Sequence, residues 1–411
     1  MSWKCPRAAS TDRHHVLAFH DDVTSVEPIN DNNPFLSYQK YLHVDAFGEA
    51  LGIQQATRTE VIAKANANIA QIAGTGFIHS SFQRANALSD ELGFSASGGV
   101  WIKDETHNVA GSHKARHIFT ELLHLLFAEH AGRVPWPHPD ARPSLAIASC
   151  GNAAIAASTL AASAQWPIQV FVPVTASQSV LDILHARNAT VVTCPRRDED
   201  PPGDPCVHRF REAVEQGAIP FGVQGTENAW CLDGGRTIGW EIAHAANAAL
   251  GAPLDRIFIQ VGGGAFASCV GAALAVTSPQ TQLHAVQAQG CAPLSRAWHN
   301  AQKSGGTRDA GPRWDQCMWA WESEPHSLAD GILDDETYDW ISVLNAMTDS
   351  GGFPIVASEA HVTDALALAD RATDISASPT GTAGLAGVLA IRDQIGDHEN
   401  IAIVFSGVAR R

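Results

Sequence analysis

The sequence predicts an α/β fold built on parallel strands, and three observations lead to this prediction. Short apolar runs alternate with helical segments from residue 144 onward, which is typical of parallel strands joined by right-handed crossovers. An apolar strand at 256–261 runs directly into three consecutive glycines, and open α/β sheets bind ligands where their strands end. The chain of 411 residues is long enough for two lobes and a sizeable core.

The individual elements follow from hydrophobic periodicity along the chain. Helices are predicted at 61–72, 82–92, 153–165, 177–187, 210–215, 237–248, 336–347, 360–371 and 382–393, with a long amphipathic helix after Lys114. Strands are predicted at 99–103, 144–149, 168–174, 190–193, 256–261, 283–287 and 401–405. Residues 300–325, which include three tryptophans, fit no regular period and are predicted to be an insertion.

Composition narrows the classes of partner. The formal net charge of −16 argues against nucleic acid or an anionic membrane surface as the main partner. No run is long enough to span a bilayer, and the first residues lack the apolar core of a signal peptide. We therefore expect a cytoplasmic protein. The eight cysteines include no C-x-x-C pair and the nineteen histidines show no metal-ligand spacing, so free thiols and no metal site are expected.

Lys114 is the first candidate for chemistry. It follows a Gly-Ser pair and lies in the first turn of a predicted helix, where the helix dipole disfavours an ammonium and lowers the pKa of the lysine. A neutral amine is the form that attacks an aldehyde to give an imine. Taken alone, the segment is equally compatible with a surface lysine on a first helical turn.

Two loops and a strand end complete the candidate site. The loop 149–152 leads from a strand into a helix, whose N–H groups suit a substrate carboxylate, although asparagine is also a common N-cap. The run 262–265 follows a strand, and its N–H groups can wrap a phosphate, although a plain tight turn is the alternative. Ser406 ends the last strand and carries no signal by itself.

In this order and at these spacings, the four segments resemble those of the tryptophan-synthase-β superfamily of pyridoxal 5′-phosphate (PLP) enzymes, known as fold type II. Threonine and serine dehydratases and threonine synthase are the relatives whose motifs match best. The likeness extends from about residue 33 to the last residue and includes 233–241 and 329–331. It implies a two-domain α/β fold, with parallel sheets flanked by helices and PLP in the cleft between the domains.

The resemblance also implies roles for individual residues. Lys114 would carry PLP as a Schiff base and act as the general base. The residues implied in binding PLP are Lys114, Asn152, Gly262, Gly263, Gly264, Ala265 and Ser406. The residues implied in binding the substrate are Ser112, Ser149, Cys150 and Gly151.

The resemblance places the hydroxyl of Ser406 against the pyridine nitrogen of PLP. A neutral hydroxyl does not hold that nitrogen protonated, so the ring is a weaker electron sink than it would be beside a carboxylate. Such a site favours loss of a β-substituent over transamination. We therefore expect a lyase that acts on a β-hydroxy amino acid such as serine or threonine and yields a 2-oxo acid and ammonia.

Several positions depart from the commoner family pattern. His113 and Ala115 flank the lysine, Ala153 follows the loop asparagine, and Ser378 stands where dehydratases often carry glutamate. Cys150 replaces a hydroxyl residue, and its thiol is either a second catalytic acid or base or a small apolar filler. A β- or γ-replacement synthase shares all four segments. A racemase and a degenerate PLP-binding protein are further alternatives.

The resemblance implies a division of the chain into domains. Residues 1–32 form an N-terminal extension, 33–140 and 225–411 a large PLP-binding domain, and 141–224 a small mobile domain. Motion of the small domain would close the cleft over an amino-acid substrate. A homodimer is expected from the resemblance alone.

Overall fold

The computed structural model describes residues 3–8, 14–19, 23–201 and 203–410. Two sheets organise this part of the chain. Their strands are β1 (Phe82–Arg84), β2 (Gly99–Asp104), β3 (Leu145–Ala148), β4 (Ile168–Val172), β5 (Thr190–Thr193), β6 (Ile219–Pro220), β7 (Arg256–Gln260), β8 (Gln282–Ala288), β9 (Pro354–Ala357) and β10 (Asn400–Phe405). One sheet has the order β1-β2-β10-β7-β8-β9, and the other has the order β5-β4-β3-β6.

The helices of the described residues flank these sheets. They are α1 (Pro34–Ser37), α2 (His43–Ala50), α3 (Gln55–Ala73), α4 (Asn86–Glu91), α5 (Lys114–His130), α6 (Asn152–Ser163), α7 (Gln178–Ala186), α8 (Pro205–Glu215), α9 (Cys231–Gly234), α10 (Arg236–Leu250), α11 (Ala265–Thr277), α12 (Pro293–Lys303), α13 (Trp314–Cys317), α14 (Trp340–Ser350), α15 (Glu359–Ala372) and α16 (Pro379–Ala390). No helix in these ranges is long and apolar enough to cross a membrane.

The register of the larger sheet brings three strand ends to one edge. β10 pairs in parallel with β2 on one side and with β7 on the other. From Ile401 to Phe405 its side chains are apolar and buried on both faces, as expected of a central parallel strand. The register opposes Phe405 to Asp104, so the segments that follow β2, β7 and β10 start at the same edge.

The smaller sheet contributes the fourth segment, which is the loop 149–152. Its three strand pairings are all parallel, with β3 between β4 and β6. β3 ends at Ala148 and α6 begins at Asn152, so the loop 149–152 leaves the carboxyl end of a central strand. The alanine-rich α6 packs against α5, and this contact joins the helix that starts at Lys114 to the smaller sheet.

The predicted α/β fold with parallel sheets flanked by helices is confirmed, but several element predictions need correction. Residues 82–92 are not one helix, because β1 pairs with β2 before α4 begins. The helix predicted at 336–347 starts only at Trp340, because the preceding residues cover the glycine loop and the amide of Asp339 donates to the carbonyl of Gly263. The strand β9 was not predicted at all.

The segment 300–325 is also more regular than predicted. It includes the end of α12 and all of α13. Trp314 is buried in the core cluster that contains Trp340, while Trp319 is exposed. The tryptophans therefore divide between core and surface. The domain boundaries at residues 32, 140 and 224 stay a prediction.

Candidate active site

A cavity of about 1080 Å³ lies where the ends of β3, β7 and β10 meet the first residue of α5. It collects residues from many stretches of chain that are far apart in sequence, and these include the four predicted segments. The predicted site residues that line it are Lys114, Ser149, Cys150, Gly151, Asn152, Gly262, Gly263, Gly264, Ala265 and Ser406. Ser112 is the exception: it is fully buried, and its hydroxyl has no hydrogen-bond partner among the described residues.

Lys114 is the first residue of α5 and reaches the cavity. Burial lowers the pKa of its amine, and the nearby negative charge of Asp334 opposes this effect only in part. The lowered pKa expected from the sequence is therefore present. Its main cause is removal from water, which disfavours the charged form. A lowered pKa increases the share of the neutral amine, which is the nucleophilic form.

His113 ties the start of α5 to the end of β10. Its backbone N–H donates to the carbonyl oxygen of Ser406 at 3.1 Å, and its ring Nδ1 lies 3.2 Å from the same oxygen. The imidazole stacks on Phe266 with ring centroids 4.2 Å apart. Burial, reinforced by the charge of Lys114, holds the pKa of His113 well below its usual value. The residue therefore supplies a neutral planar ring next to Lys114.

A network of buried ion pairs holds the first turn of α5 in place, and it was not predicted from the sequence. Arg116 donates to Glu105 and to Glu241, and it is fully buried. Lys103 donates to the other oxygen of Glu241 at 2.5 Å. Burial alone would raise the pKa of Glu241, but Arg116 and Lys103 outweigh it and hold that pKa well below the usual value. The network fixes where the helix that carries Lys114 begins.

Asn152 begins α6 and lines the cavity. Its Oδ1 accepts a hydrogen bond at 3.2 Å from Nε of Arg410, which in turn donates to the carbonyl oxygen of Ala110 at 2.5 Å. Arg410 also lines the cavity. No sequence signal pointed to this arginine, because no motif includes the segment after Ser406.

Ser406 lies 2% exposed at the end of β10, and its Oγ is 2.6 Å from Nε2 of Gln260. Gln260 is the last residue of β7 and is 3% exposed. It was not recognised from the sequence, where it reads as part of an apolar strand. The pair connects the end of one strand to the end of its neighbour at the cavity edge.

The glycine loop leads from β7 into α11. Gly264 has φ +98°, which favours glycine, and it caps the N-terminus of α11. A side chain at Gly262 would collide with the carboxylate of Asp334, which also accepts a hydrogen bond from the amide of Gly263. Burial raises the pKa of Asp334 to about 6. The loop therefore already holds one acidic group against its backbone.

Cys150 lies at the wall of the cavity as an exposed free thiol. Desolvation at this wall, together with the negative charges of Asp330 and Asp204, raises the pKa of the thiol. At neutral pH the group is therefore a thiol and not a thiolate.

The residues around the cavity fit PLP. Lys114 offers an amine with a lowered pKa, which an aldehyde requires. The N-termini of α6 and α11 both open into the cavity, and helix N-termini attract carboxylates and phosphates. Ser406 offers a neutral hydroxyl. Asp334 lies beside the glycine loop, and its negative charge opposes a phosphate there.

Comparisons with known proteins agree with this fit. A family model described as "Pyridoxal-phosphate dependent enzyme" matches residues 76–407, while a search of curated proteins found no match. Among solved structures, maize serine racemase is similar at 18% identity and a TM-score of 0.63, with 86% of this chain and 93% of that chain covered. These figures show a shared fold.

A threonine deaminase and a serine ammonia-lyase are similar in the same way. The processed form of threonine deaminase isoform 2 from Solanum lycopersicum has 19% identity and a TM-score of 0.64, with 87% of this chain and 91% of that chain covered. The fungal L-serine ammonia-lyase from Rhizomucor miehei has 16% identity and a TM-score of 0.61, with coverage of 81% and 94%. Since the family match spans well over half of the sequence, this chain belongs to the pyridoxal-phosphate dependent enzyme family of fold type II, and its cofactor is PLP.

Proposed function

We propose that the protein is an amino-acid lyase that eliminates the β-substituent of a serine- or threonine-like β-hydroxy amino acid. The observation that carries this proposal is that Lys114 and the neutral hydroxyl of Ser406 line the same cavity. The chemistry that PLP supplies is electron withdrawal from the α-carbon of an amino acid joined to it through the amino group. Beside a neutral hydroxyl this withdrawal is weak, which favours prompt loss of a β-group over transamination.

Lys114 is the proposed general base. Its lowered pKa leaves the amine neutral for a larger share of the time, so that it can accept the α-proton of the substrate. The N-terminus of α6, beginning at Asn152, would bind the substrate carboxylate through its free N–H groups. These two contacts would fix the α-carbon between the base and the helix.

Cys150 does not distinguish elimination from racemisation. A racemase needs a group that exchanges a proton with the α-carbon on the face opposite the lysine, and a thiol that lines the cavity is one such group. The product assay separates the two reactions. In the proposed reaction the substrate loses water, and the released enamine hydrolyses to a 2-oxo acid and ammonia.

A product assay tests the proposal. The purified, PLP-loaded protein would be offered L- and D-serine, L- and D-threonine, β-aryl serines and hydroxyaspartate without a second substrate. Equal amounts of 2-oxo acid and ammonia from any of them would support the lyase. Inversion at the α-carbon without ammonia would show a racemase. A stable spectral shift without release would favour a replacement synthase, which needs a second substrate.

We further propose that the protein is a cytoplasmic homodimer in which residues 141–224 form a small mobile domain. The smaller sheet, from β3 to β6, lies within this range and supplies the loop 149–152 to the cavity. Light scattering at several protein concentrations tests the dimer. Hydrogen exchange with and without substrate tests whether 141–224 becomes more protected when the cleft closes.

A further inference from the structure

Gln260 presents its amide nitrogen to four oxygen atoms at the end of β7. Nε2 lies 2.6 Å from Oγ of Ser406. The other three oxygens are backbone carbonyls at 3.1 Å, which belong to Thr380, Gly381 and Val404. The side chain is buried, and two N–H groups therefore serve four possible acceptors.

The carbonyl oxygens fix which way the amide faces. A carbonyl oxygen only accepts hydrogen bonds, so the reversed amide would place Oε1 against three other oxygens. The observed orientation leaves Oε1 buried without a donor among the described residues, near the position where Gly384 would carry a side chain. The observed orientation is the more stable one, because in the reversed orientation Oε1 would be repelled by the three carbonyl oxygens.

The orientation of Gln260 determines the direction of the Ser406 hydroxyl proton. Oγ of Ser406 accepts from Nε2, and its own hydrogen must point elsewhere. Within the described ranges the hydroxyl donates no hydrogen bond to another residue, while Ser406 lines the cavity. The free O–H is therefore directed into the space proposed for PLP.

We propose that Gln260 is a positioning residue that turns the Ser406 hydroxyl into a hydrogen-bond donor to the pyridine nitrogen of PLP. A nitrogen that accepts this hydrogen bond stays unprotonated, and this deepens the proposed function because elimination depends on that state. The inference rests on the proposed position of Ser406 beside the ring. It makes Gln260, and not Ser406 alone, responsible for the hydrogen bond to the ring nitrogen.

The test is ¹⁵N NMR of the protein loaded with PLP labelled at the ring nitrogen, without substrate. In the unsubstituted protein we expect the signal of a neutral, hydrogen-bonded nitrogen. In Gln260→Met the three carbonyls lose their donor, and the Ser406 hydroxyl rotates to serve one of them. The ¹⁵N signal then shifts downfield towards that of a free neutral pyridine, and the Kd for PLP rises about three- to tenfold.

Gln287→Met is the matched control, because Gln287 is also buried and lies on the adjacent strand. Its Nε2 lies 3.4 Å from the carbonyl oxygen of Val261 and from the hydroxyl of Thr337. Its Oε1 accepts from the amides of Leu294 and Ser295. This variant should leave the ¹⁵N signal at its original position. If Gln260→Met does not fold, Gln260→Leu serves, since it also removes the amide donor and should cause the same downfield shift. An unshifted signal in the folded variant, or a protonated nitrogen in the unsubstituted protein, would overturn the inference. The product assay tests the lyase reaction separately.

Discussion

Nε of Arg410 donates to Oδ1 of Asn152 at 3.2 Å, although 258 residues separate the two. Because a guanidinium only donates, this contact fixes the amide so that its oxygen faces the arginine. The amide nitrogen is turned towards Gly407 and has no acceptor in the described part of the chain. It is therefore free to donate to an anionic oxygen in the cavity, and the 3′-oxygen of PLP is the proposed acceptor.

Arg410→Ala should weaken PLP binding without removing it. Loss of one orienting hydrogen bond corresponds to about 0.5–1.5 kcal/mol, or roughly a three- to tenfold rise in the Kd for PLP. Fluorescence titration of the apoprotein with PLP measures this change. Arg410→Lys should restore part of the affinity because lysine also only donates. Arg133→Ala removes an exposed arginine outside the cavity and should leave the Kd unchanged.

Asp334→Asn should tighten PLP binding at pH 8 but hardly at pH 5. The pKa of Asp334 is raised to about 6, so its carboxyl is mostly neutral at the lower pH and ionised at the higher. Beside the glycine loop the ionised form repels a phosphate, and its removal should lower the Kd for PLP roughly tenfold. Equal ratios of variant to unsubstituted affinity at the two pH values would contradict this. Asp140→Asn, at an exposed position, is the control.

The same raised pKa has a consequence for the stability of the apoprotein. The folded chain binds the proton of Asp334 more tightly than the unfolded chain does. The contribution of this group to the free energy of unfolding is therefore complete below about pH 4 and is lost as the pH rises to about 6. Urea unfolding of the apoprotein and of Asp334→Asn across this range should show the two midpoints diverging as the pH increases.

Glu241→Gln should destabilise the fold by about 3–5 kcal/mol, because it leaves Lys103 and Arg116 buried without their shared counter-charge. Chemical unfolding at pH 7.5 measures the loss. Glu91→Gln breaks an ion pair with Arg371 in which both side chains are exposed, and should cost less than about 1 kcal/mol. Similar losses in the two variants would show that the buried network does not carry the stability assigned to it.

Ser406→Asp should retain PLP and divert part of the reaction towards transamination. A carboxylate beside the ring nitrogen favours its protonated form, which strengthens electron withdrawal. Pyridoxamine 5′-phosphate formed per 2-oxo acid released is the quantity to measure, by chromatography of the denatured protein. Ser406→Thr keeps a neutral hydroxyl and should leave that ratio near its original value. An unchanged ratio in Ser406→Asp would refute the role given to the hydroxyl.

The sequence was informative wherever a strand end and a helix start are adjacent in the chain. Gly262 and Asn152 could be placed because parallel strands bring their carboxyl ends together. Ser406 gave no local signal and was assigned only through the resemblance to the family. The structure collects all three around one cavity with Lys114. Local patterns thus indicated two loops suited to a ligand, and the resemblance supplied the assignment of all of them to one site.

The remaining site residues could not be predicted, because their roles depend on partners far away in sequence. Gln260 meets Ser406 across 146 positions, and Arg116 meets Glu241 across 125. A buried glutamine in an apolar strand has no periodic signature. Asp334 was assigned to no site. It lies shortly before a predicted helix, and nothing in the local sequence shows that this segment covers the glycine loop.

The measurement that tests the central claim most directly is reduction of the PLP-loaded protein with borohydride, followed by peptide mapping by mass spectrometry. The account predicts a pyridoxyl group on the peptide that contains Lys114, and no modified peptide in Lys114→Ala. Lys103 is the comparison residue within the same protein. It is fully buried and paired with Glu241, so it should carry no pyridoxyl group. A pyridoxyl group on Lys103 or on any other lysine would contradict the assignment of the active site.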